Sequence, residues 1–222
     1  MAVNRLQQTQ QKSPLSIDDV EDFLVDLDGT LIRGGAPTDG AIELLNLLHN
    51  RFIVTSNNST DVASGLRRKL RKMGIRLRED QLVLAGEETI RWLALNRAEQ
   101  RIQCLSSAPL QRLALSHGLT VTDAKPDIVL LARDRFFNYR RLTLAANHLR
   151  AGAELVVTNT DVTHPADENT GIVPETGTLL AALQAASAAE PIHITGKPEP
   201  DLWLEGLRRL NCHPRNTLVI GD

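Results

Sequence analysis

Short apolar runs alternate along this chain with stretches of helical periodicity. Residues 23–25 (FLV), 51–56 (RFIVTS), 82–85 (LVLA) and 217–222 (TLVIGD) read as buried strands, each ending in a polar or small residue. Between the first two, Ile42, Leu45 and Leu48 share one helical face behind Asp39, a candidate N-cap. Between the second and third, Val62, Leu66, Leu70 and Met73 recur at helical spacing and Gly74 stands where a helix would stop. From about residue 101 the pattern restarts: IQCL, a helix over 108–117, DIVLLA at 127–132, a helix over 139–150 and ELVVT at 154–158. A polar loop, TNTDVTHPADENTG, follows, then an Ala-rich helix over 177–189 and a helix from about Pro200 to Asn211. The alternation predicts an α/β chain: a Rossmann-like core with a mostly parallel sheet, and an inserted smaller α/β cap.

Composition adds limits. With 42% hydrophobic and 23% charged residues, the 222-residue chain can bury a sizeable core. The 25 Lys and Arg against 27 Asp and Glu give a net charge of -2, which names no polyanionic partner. Arg67, Arg68, Lys69, Arg71, Lys72, Arg76 and Arg78 form a basic cluster, but the apolar side of the same helix faces inward, so a solvated surface is expected. Seven aromatic residues offer little for stacking bases, and no nucleic-acid partner is expected. Cys104 and Cys212 lack the spacing of a zinc site or a disulfide framework, which fits a reducing, cytoplasmic setting. No run of about 18 apolar residues is present, so no membrane partner is expected. Residues 1–16, Gln-rich and polar, are expected to form a disordered tail.

In open α/β sheets ligands bind outside the carboxyl ends of the strands, so those positions carry the chemistry. The first strand ends in Asp26-Leu27-Asp28-Gly29-Thr30. A carboxylate there can attack phosphorus when a divalent cation offsets the repulsion, and a second carboxyl two residues on can handle the proton. A calcium loop of the EF-hand type would need flanking helices and a Glu at the twelfth position, and this segment follows a strand instead. The second strand ends in Thr55-Ser56-Asn57-Asn58-Ser59-Thr60 just before a helix, an arrangement suited either to an N-cap by Thr60 or Asp61 or to an anion site. Lys197, in Gly196-Lys197-Pro198-Glu199-Pro200, places a cation at a helix start, where a ligand anion would offset the helix dipole. Asp222 ends the last apolar strand and matches a hard-metal ligand that would pair with Asp26.

DLDGT, TSNNST, GKPEP and VIGD stand in the order of the four motifs of the haloacid dehalogenase-like hydrolase superfamily. ARDRFFNY at 132–139, TNTD at 158–161 and VPETGTL at 173–179 resemble its NagD or p-nitrophenylphosphatase-type branch, and the likeness spans residues 22–222. The resemblance implies a phosphomonoester hydrolase: Asp26 as nucleophile, Asp28 as general acid and base, and Lys197 as the catalytic lysine. Gly29, Ser56, Asn57 and Lys197 would bind phosphate, and Asp26, Asp28 (through its carbonyl) and Asp222 would hold Mg²⁺. Asn159, Asp161 and His164 would touch substrate from the cap loop. It further implies a core formed by 17–96 and 172–222, a cap over 97–171, a small phosphorylated metabolite such as a sugar phosphate or nucleotide as substrate, and a possible homo-oligomer through the cap. The fourth motif of that family normally runs on to another acidic residue and a further strand, and this sequence stops at Asp222. A second reading therefore stands beside the first: a phosphate-ligand binding or interaction protein on the same scaffold, impaired in catalysis.

Overall fold

The computed structural model describes residues 20–165 and 171–222; the expected tail and the middle of the polar loop at 166–170 lie outside the described residues. The first part of the chain builds β1 (Asp22–Asp26), a small hairpin β2 (Ile32–Arg33) and β3 (Ala36–Pro37), α1 (Ala41–Leu47), β4 (Phe52–Ser56), α2 (Ala63–Lys72), β5 (Leu82–Leu84) and α3 (Ala85–Asn96). A second series follows: β6 (Arg101–Leu105), α4 (Ala108–Ser116), β7 (Thr120–Val121), β8 (Ile128–Leu131), α5 (Tyr139–Arg150) and β9 (Glu154–Val157). The hairpin β10 (Thr163–Pro165) and β11 (Ile172–Pro174) comes next, then α6 (Thr176–Ser187) and β12 (Pro191–Ile194). The chain returns through α7 (Asp201–Leu210) to β13 (Thr217–Ile220).

Two parallel sheets result. The core sheet has the order β13-β1-β4-β5, and the second has the order β12-β9-β8-β6-β7. The period of two along each core strand assigns its faces. Phe23 and Val25 of β1, Phe52 and Val54 of β4, and Leu82 and Leu84 of β5 point into a layer closed by Leu45, Leu48, Leu66 and Leu70 from α1 and its C-cap and from α2. Leu24, Ile53 and Val83 point the other way, against Leu202, Trp203 and Leu207 of α7. A strand buried on both faces needs a continuous apolar run, which is why FLV and FIV carry no alternation. Burying each such Leu or Phe contributes about 1.5 to 3 kcal/mol. The second sheet is sandwiched likewise, with α3 and α4 on one face and α5 and α6 on the other.

The expected α/β architecture holds, but the division of the chain between its two parts moves. The helix at Thr176–Ser187 packs with α5, and Pro191–Ile194 pairs in parallel with β9, so residues through Ile194 belong to the second sheet and not to the core. The second part therefore ends at Ile194 instead of 171. Asp39 does not cap α1: Gly40 holds that position in a left-handed conformation, without a side-chain hydrogen bond. Among the described residues no helix is long and apolar enough to cross a membrane.

Candidate active site

β1 is the switch point of the core sheet: the chain leaves it for β4 on one side and returns beside it as β13 on the other. The carboxyl ends of β1, β4 and β13 lie at the same edge of the sheet; β1 ends at Asp26, β4 at Ser56, and Asp222 lies two residues past β13. Val25 is in register with Ile220 and Asp26 with Thr55, which sets Asp26, Ser56 and Asp222 on adjacent strand ends.

The turn after β1 is built around Gly29, whose φ of 89° lies in the left-handed region. Its amide donates to Ile32 O at 2.9 Å, and a side chain on it would collide with the Asp222 carboxylate. Gly29 thus makes the turn and admits Asp222, and in this arrangement its N–H is engaged by Ile32 O. Leu27 buries inward, so Asp26 and Asp28 flank a fixed point. Lys197 Nζ is ion-paired with Asp26 Oδ1, and Thr30 Oγ1 donates to Asp26 Oδ2 at 3.3 Å. The ammonium group also lies 5.4 Å from the centroid of the Trp203 ring, within cation–π range. Lys197 sits in the turn before α7, not within the helix.

Ser56, fully buried, donates to Asp28 Oδ2 at 2.9 Å and accepts the Asn58 amide at 3.0 Å. Its proton is directed at Asp28, so it orients that carboxyl in this arrangement and leaves none for a phosphoryl oxygen. Burial pushes the pKa of Asp28 above the usual carboxylate range. The Ser56 hydrogen bond and the charges of Lys197 and His164 pull against that shift, and the neighbouring Asp26 charge adds to it. A carboxyl so placed is suited to hold a proton and hand it on.

Asn57 uses its side chain as a brace. Its Oδ1 accepts the Lys197 amide at 2.7 Å and its Nδ2 donates to Lys197 O and to Asp161 Oδ1, both at 3.1 Å. That leaves the Asn57 backbone as the part able to meet an anion. Asn159 is 1% exposed, donates to Asn57 O at 2.8 Å and accepts the Asp161 amide at 3.1 Å, so its side chain clamps the two parts of the chain together. Gly196 fits only as glycine: a Cβ would lie 2.6 Å from Asn159 Cβ and 2.7 Å from Thr158 O. The end of α2, proposed as an anion site, is already filled. The Glu87 carboxylate accepts the Ala63 amide at 2.8 Å, and neither Thr60 nor Asp61 caps the helix.

His164 reaches the rim from β10, close enough for its charge to lower the pKa of Asp28. Its Nδ1 lies 2.7 Å from Glu175 Oε1, and Arg133 Nη1 lies 3.1 Å from the same oxygen. Burial raises the pKa of Glu175, with Arg133 and His164 opposing that shift. Arg133 and Glu175 were not singled out individually, although both lie in the stretches 132–139 and 173–179. Asp161, exposed, contributes one carboxylate oxygen to the Asn57 brace. The basic residues of α2 stand at the surface, with Arg67 paired to Glu79 and Lys69 to Asp61. Cys104, its thiol pushed up to about 12 by burial, is not available as a nucleophile.

Among the described residues no three His, Cys, Asp or Glu side chains come together as a metal cage. The implied Mg²⁺ set asks for less: two carboxylates, Asp26 and Asp222, on adjacent strand ends and one backbone carbonyl, all hard oxygen donors of the kind that ion takes. The contact between Gly29 and the Asp222 carboxylate brings that group onto the Asp26–Asp28 turn, so the residues present fit such an ion.

A parallel α/β core places two carboxyls on one strand-end turn and brings a lysine to them from a distant loop, an arrangement able to handle a charged phosphoryl group. Residues 23–120 match the family model described as haloacid dehalogenase-like hydrolase. The chain is 32% identical over 203 residues to a dihydroxyacetone phosphatase of Corynebacterium glutamicum, covering 90% of this chain and 73% of that protein. It superposes on a 4-nitrophenylphosphatase of Thermotoga maritima with a TM-score of 0.85 and 30% identity, covering 92% of this chain and 79% of that one. A glycerol phosphate phosphatase of Mycobacterium tuberculosis in complex with magnesium gives a TM-score of 0.83 at 28% identity, covering 92% and 63%. The chain belongs to the haloacid dehalogenase-like hydrolases, in the NagD and p-nitrophenylphosphatase-type branch.

Proposed function

We propose that this chain is a cytoplasmic phosphatase that hydrolyses a small sugar or polyol phosphate through a covalent intermediate on Asp26. The observation that carries the reading is the contact of Lys197 with Asp26 in the same crevice as the Ser56–Asp28 hydrogen bond. Phosphoryl transfer needs charge neutralisation and positioning more than elaborate covalent machinery. Lys197 is the cation in contact with the nucleophile, and the Asn57 brace fixes where its turn lies.

In the first half-reaction an Asp26 oxygen attacks phosphorus, the bond to the substrate oxygen breaks, and protonated Asp28 gives its proton to the departing alkoxide. In the second, the Asp28 carboxylate takes a proton from water as that water attacks phosphorus. The acyl phosphate opens, inorganic phosphate leaves and Asp26 is regenerated. Asp26, Asp222 and the backbone carbonyl of Asp28 would hold Mg²⁺, which when bound offsets the charge of the phosphoryl group. The names of two relatives, a dihydroxyacetone phosphatase and a glycerol phosphate phosphatase, support a three-carbon phosphate as substrate. The polar rim formed by His164, Glu175 and Arg133 suits hydroxyl groups.

The test is phosphate release from dihydroxyacetone phosphate, glycerol phosphate and p-nitrophenyl phosphate, with Mg²⁺ and with a chelator, using Asp26→Asn as control. Release that depends on the metal and is lost in the variant is expected. Turnover surviving Asp26→Asn would overturn the covalent mechanism. Binding of a phosphate analogue by a folded wild type that releases no phosphate would favour the alternative, a non-catalytic phosphate-binding protein.

A further inference from the structure

Two segments join the core sheet to the second sheet: α3 leads out of β5, and the stretch from β12 through Gly196 and Lys197 leads back to α7. They are fastened to each other. The buried hydroxyls of Thr89 on α3 and Thr195 after β12 are hydrogen-bonded at 2.8 Å. One turn along α3, the Trp92 indole stacks on the His193 imidazole with ring centroids 4.0 Å apart and planes 6° from parallel.

His193 stands at the base of the lysine turn. Its Nε2 is 3.2 Å from Thr195 Oγ1, on the entering side, and 3.7 Å from Asp201 Oδ1, the first residue of α7 on the leaving side. Thr195 is two residues from Lys197, and the intervening Gly196 has no slack: its amide donates to Thr158 O at 2.7 Å, and it is walled in by Asn159, Asn57 and Thr158. A shift at Thr195 is therefore passed to the Lys197 amide, held by Asn57 Oδ1, and to the ammonium group on Asp26.

We propose that His193 is a positioning residue for Lys197, holding the lysine turn through Thr195 when the ring is neutral and pulling it toward Asp201 when the ring is protonated. The inference rests on the phosphatase reading of Lys197. The charged groups around the ring are Asp201 on α7 and Glu199 in the turn, both favouring its protonation, and Arg97 at the end of α3, whose guanidinium lies 5.6 Å from the Trp92 ring centroid. Burial outweighs the two acids and holds the His193 pKa below its ordinary value, so the neutral form is the one present at neutral pH. A neutral imidazole binds Thr195 through one nitrogen. An imidazolium gains a charge-assisted contact with Asp201 and draws Nε2 from Thr195 toward the helix start.

Two variants separate the roles of the ring. His193→Gln keeps a polar group near Nε2 and cannot titrate; His193→Phe keeps a flat ring against Trp92 and loses both nitrogens. Phosphate release by His193→Gln is expected to stay near wild type at about neutral pH, where the ring is neutral, and to lack the part of the acid-side decline that the wild type owes to His193. For His193→Phe, kcat is expected to fall about 10- to 100-fold at every pH with KM little changed, because the lysine is misplaced and not removed. Tryptophan fluorescence supplies a readout independent of turnover: protonated imidazole quenches a stacked indole, so the wild type is expected to show a pH-dependent step that His193→Gln lacks. A wild-type kcat in folded His193→Phe, or an acid-side rate profile in His193→Gln that overlays the wild type, would overturn the proposal. If no variant and no wild-type sample releases phosphate, the phosphatase reading fails instead, and the fluorescence step alone still reports whether His193 titrates against Trp92.

Discussion

Glu87 holds the amide of Ala63 across a gap of 24 residues in sequence, at 2.8 Å and almost entirely buried. A helix N-terminus next to a phosphate site would ordinarily be read as part of that site. Here a carboxylate from α3 already satisfies it, which frees the loop at 57–61 to be shaped by its contacts with the cap. Glu87→Ala is expected to cost about 1 to 2 kcal/mol of stability, as for loss of an N-cap, and Glu87→Gln markedly less because its carbonyl can still accept the amide. Urea denaturation of the three proteins checks this.

Gly196→Ala would push a methyl group against two residues that cannot yield, Asn159 and the Thr158 carbonyl. The backbone of the lysine turn must move, and a displacement near 1 Å at a reacting group can cost about 100-fold in rate. We expect kcat to fall by that order while the circular dichroism spectrum stays native. A variant with wild-type kcat would show that the turn tolerates the shift.

Lys197→Met keeps the length of the side chain over Trp203 and removes the charge. With the ammonium group gone from Asp26, kcat is expected to fall by about 10²- to 10³-fold, the scale for loss of one electrostatic contact to the developing charge. Steady-state kinetics at saturating substrate measures it, and a loss confined to KM would reassign the lysine to ground-state binding.

Far from the crevice, Glu205 receives hydrogen bonds from Arg208 and Arg209, which hold its pKa at about 2 against an ordinary value of 4.5. Because the folded value is the lower one, the carboxylate favours folding above pH 4.5, and that contribution disappears as the pH falls toward 2. Glu205→Gln is therefore expected to be less stable than wild type at pH 7, with the difference shrinking steadily below pH 4.5. Unfolding midpoints in urea at several pH values test the sign.

The strand ends of the core could be read from the chain because each buried strand is an unbroken apolar run that stops at a polar residue. Asp26, Asp28, Ser56 and Asp222 follow such strand ends and Lys197 stands before a helix start; the structure joins Lys197 to Asp26 and Ser56 to Asp28. Pro191–Ile194 escaped because Ile192 and Ile194 flank a histidine in a run of four residues, too short to show which sheet it would join; only pairing with β9 decides that. The clamp made by Asn159 was hidden for a related reason: its amide donates to a backbone carbonyl 102 residues away. The cap by Glu87 and the Trp92–His193 stack are likewise long-range pairings that leave no local pattern.

The assignment of β12 to the second sheet changes what can be exchanged between relatives. A graft that swapped the cap at residue 171 would strip the edge strand β12 from a five-stranded parallel sheet and leave α6 without the strands it covers. The junctions that leave each helix with the sheet it covers lie near residue 85, where β5 passes into α3, and near residue 195, and the second lies two positions from the lysine that meets Asp26. The second sheet and the lysine turn share a seam in this architecture, so a transplanted cap also carries part of the anchorage of the lysine.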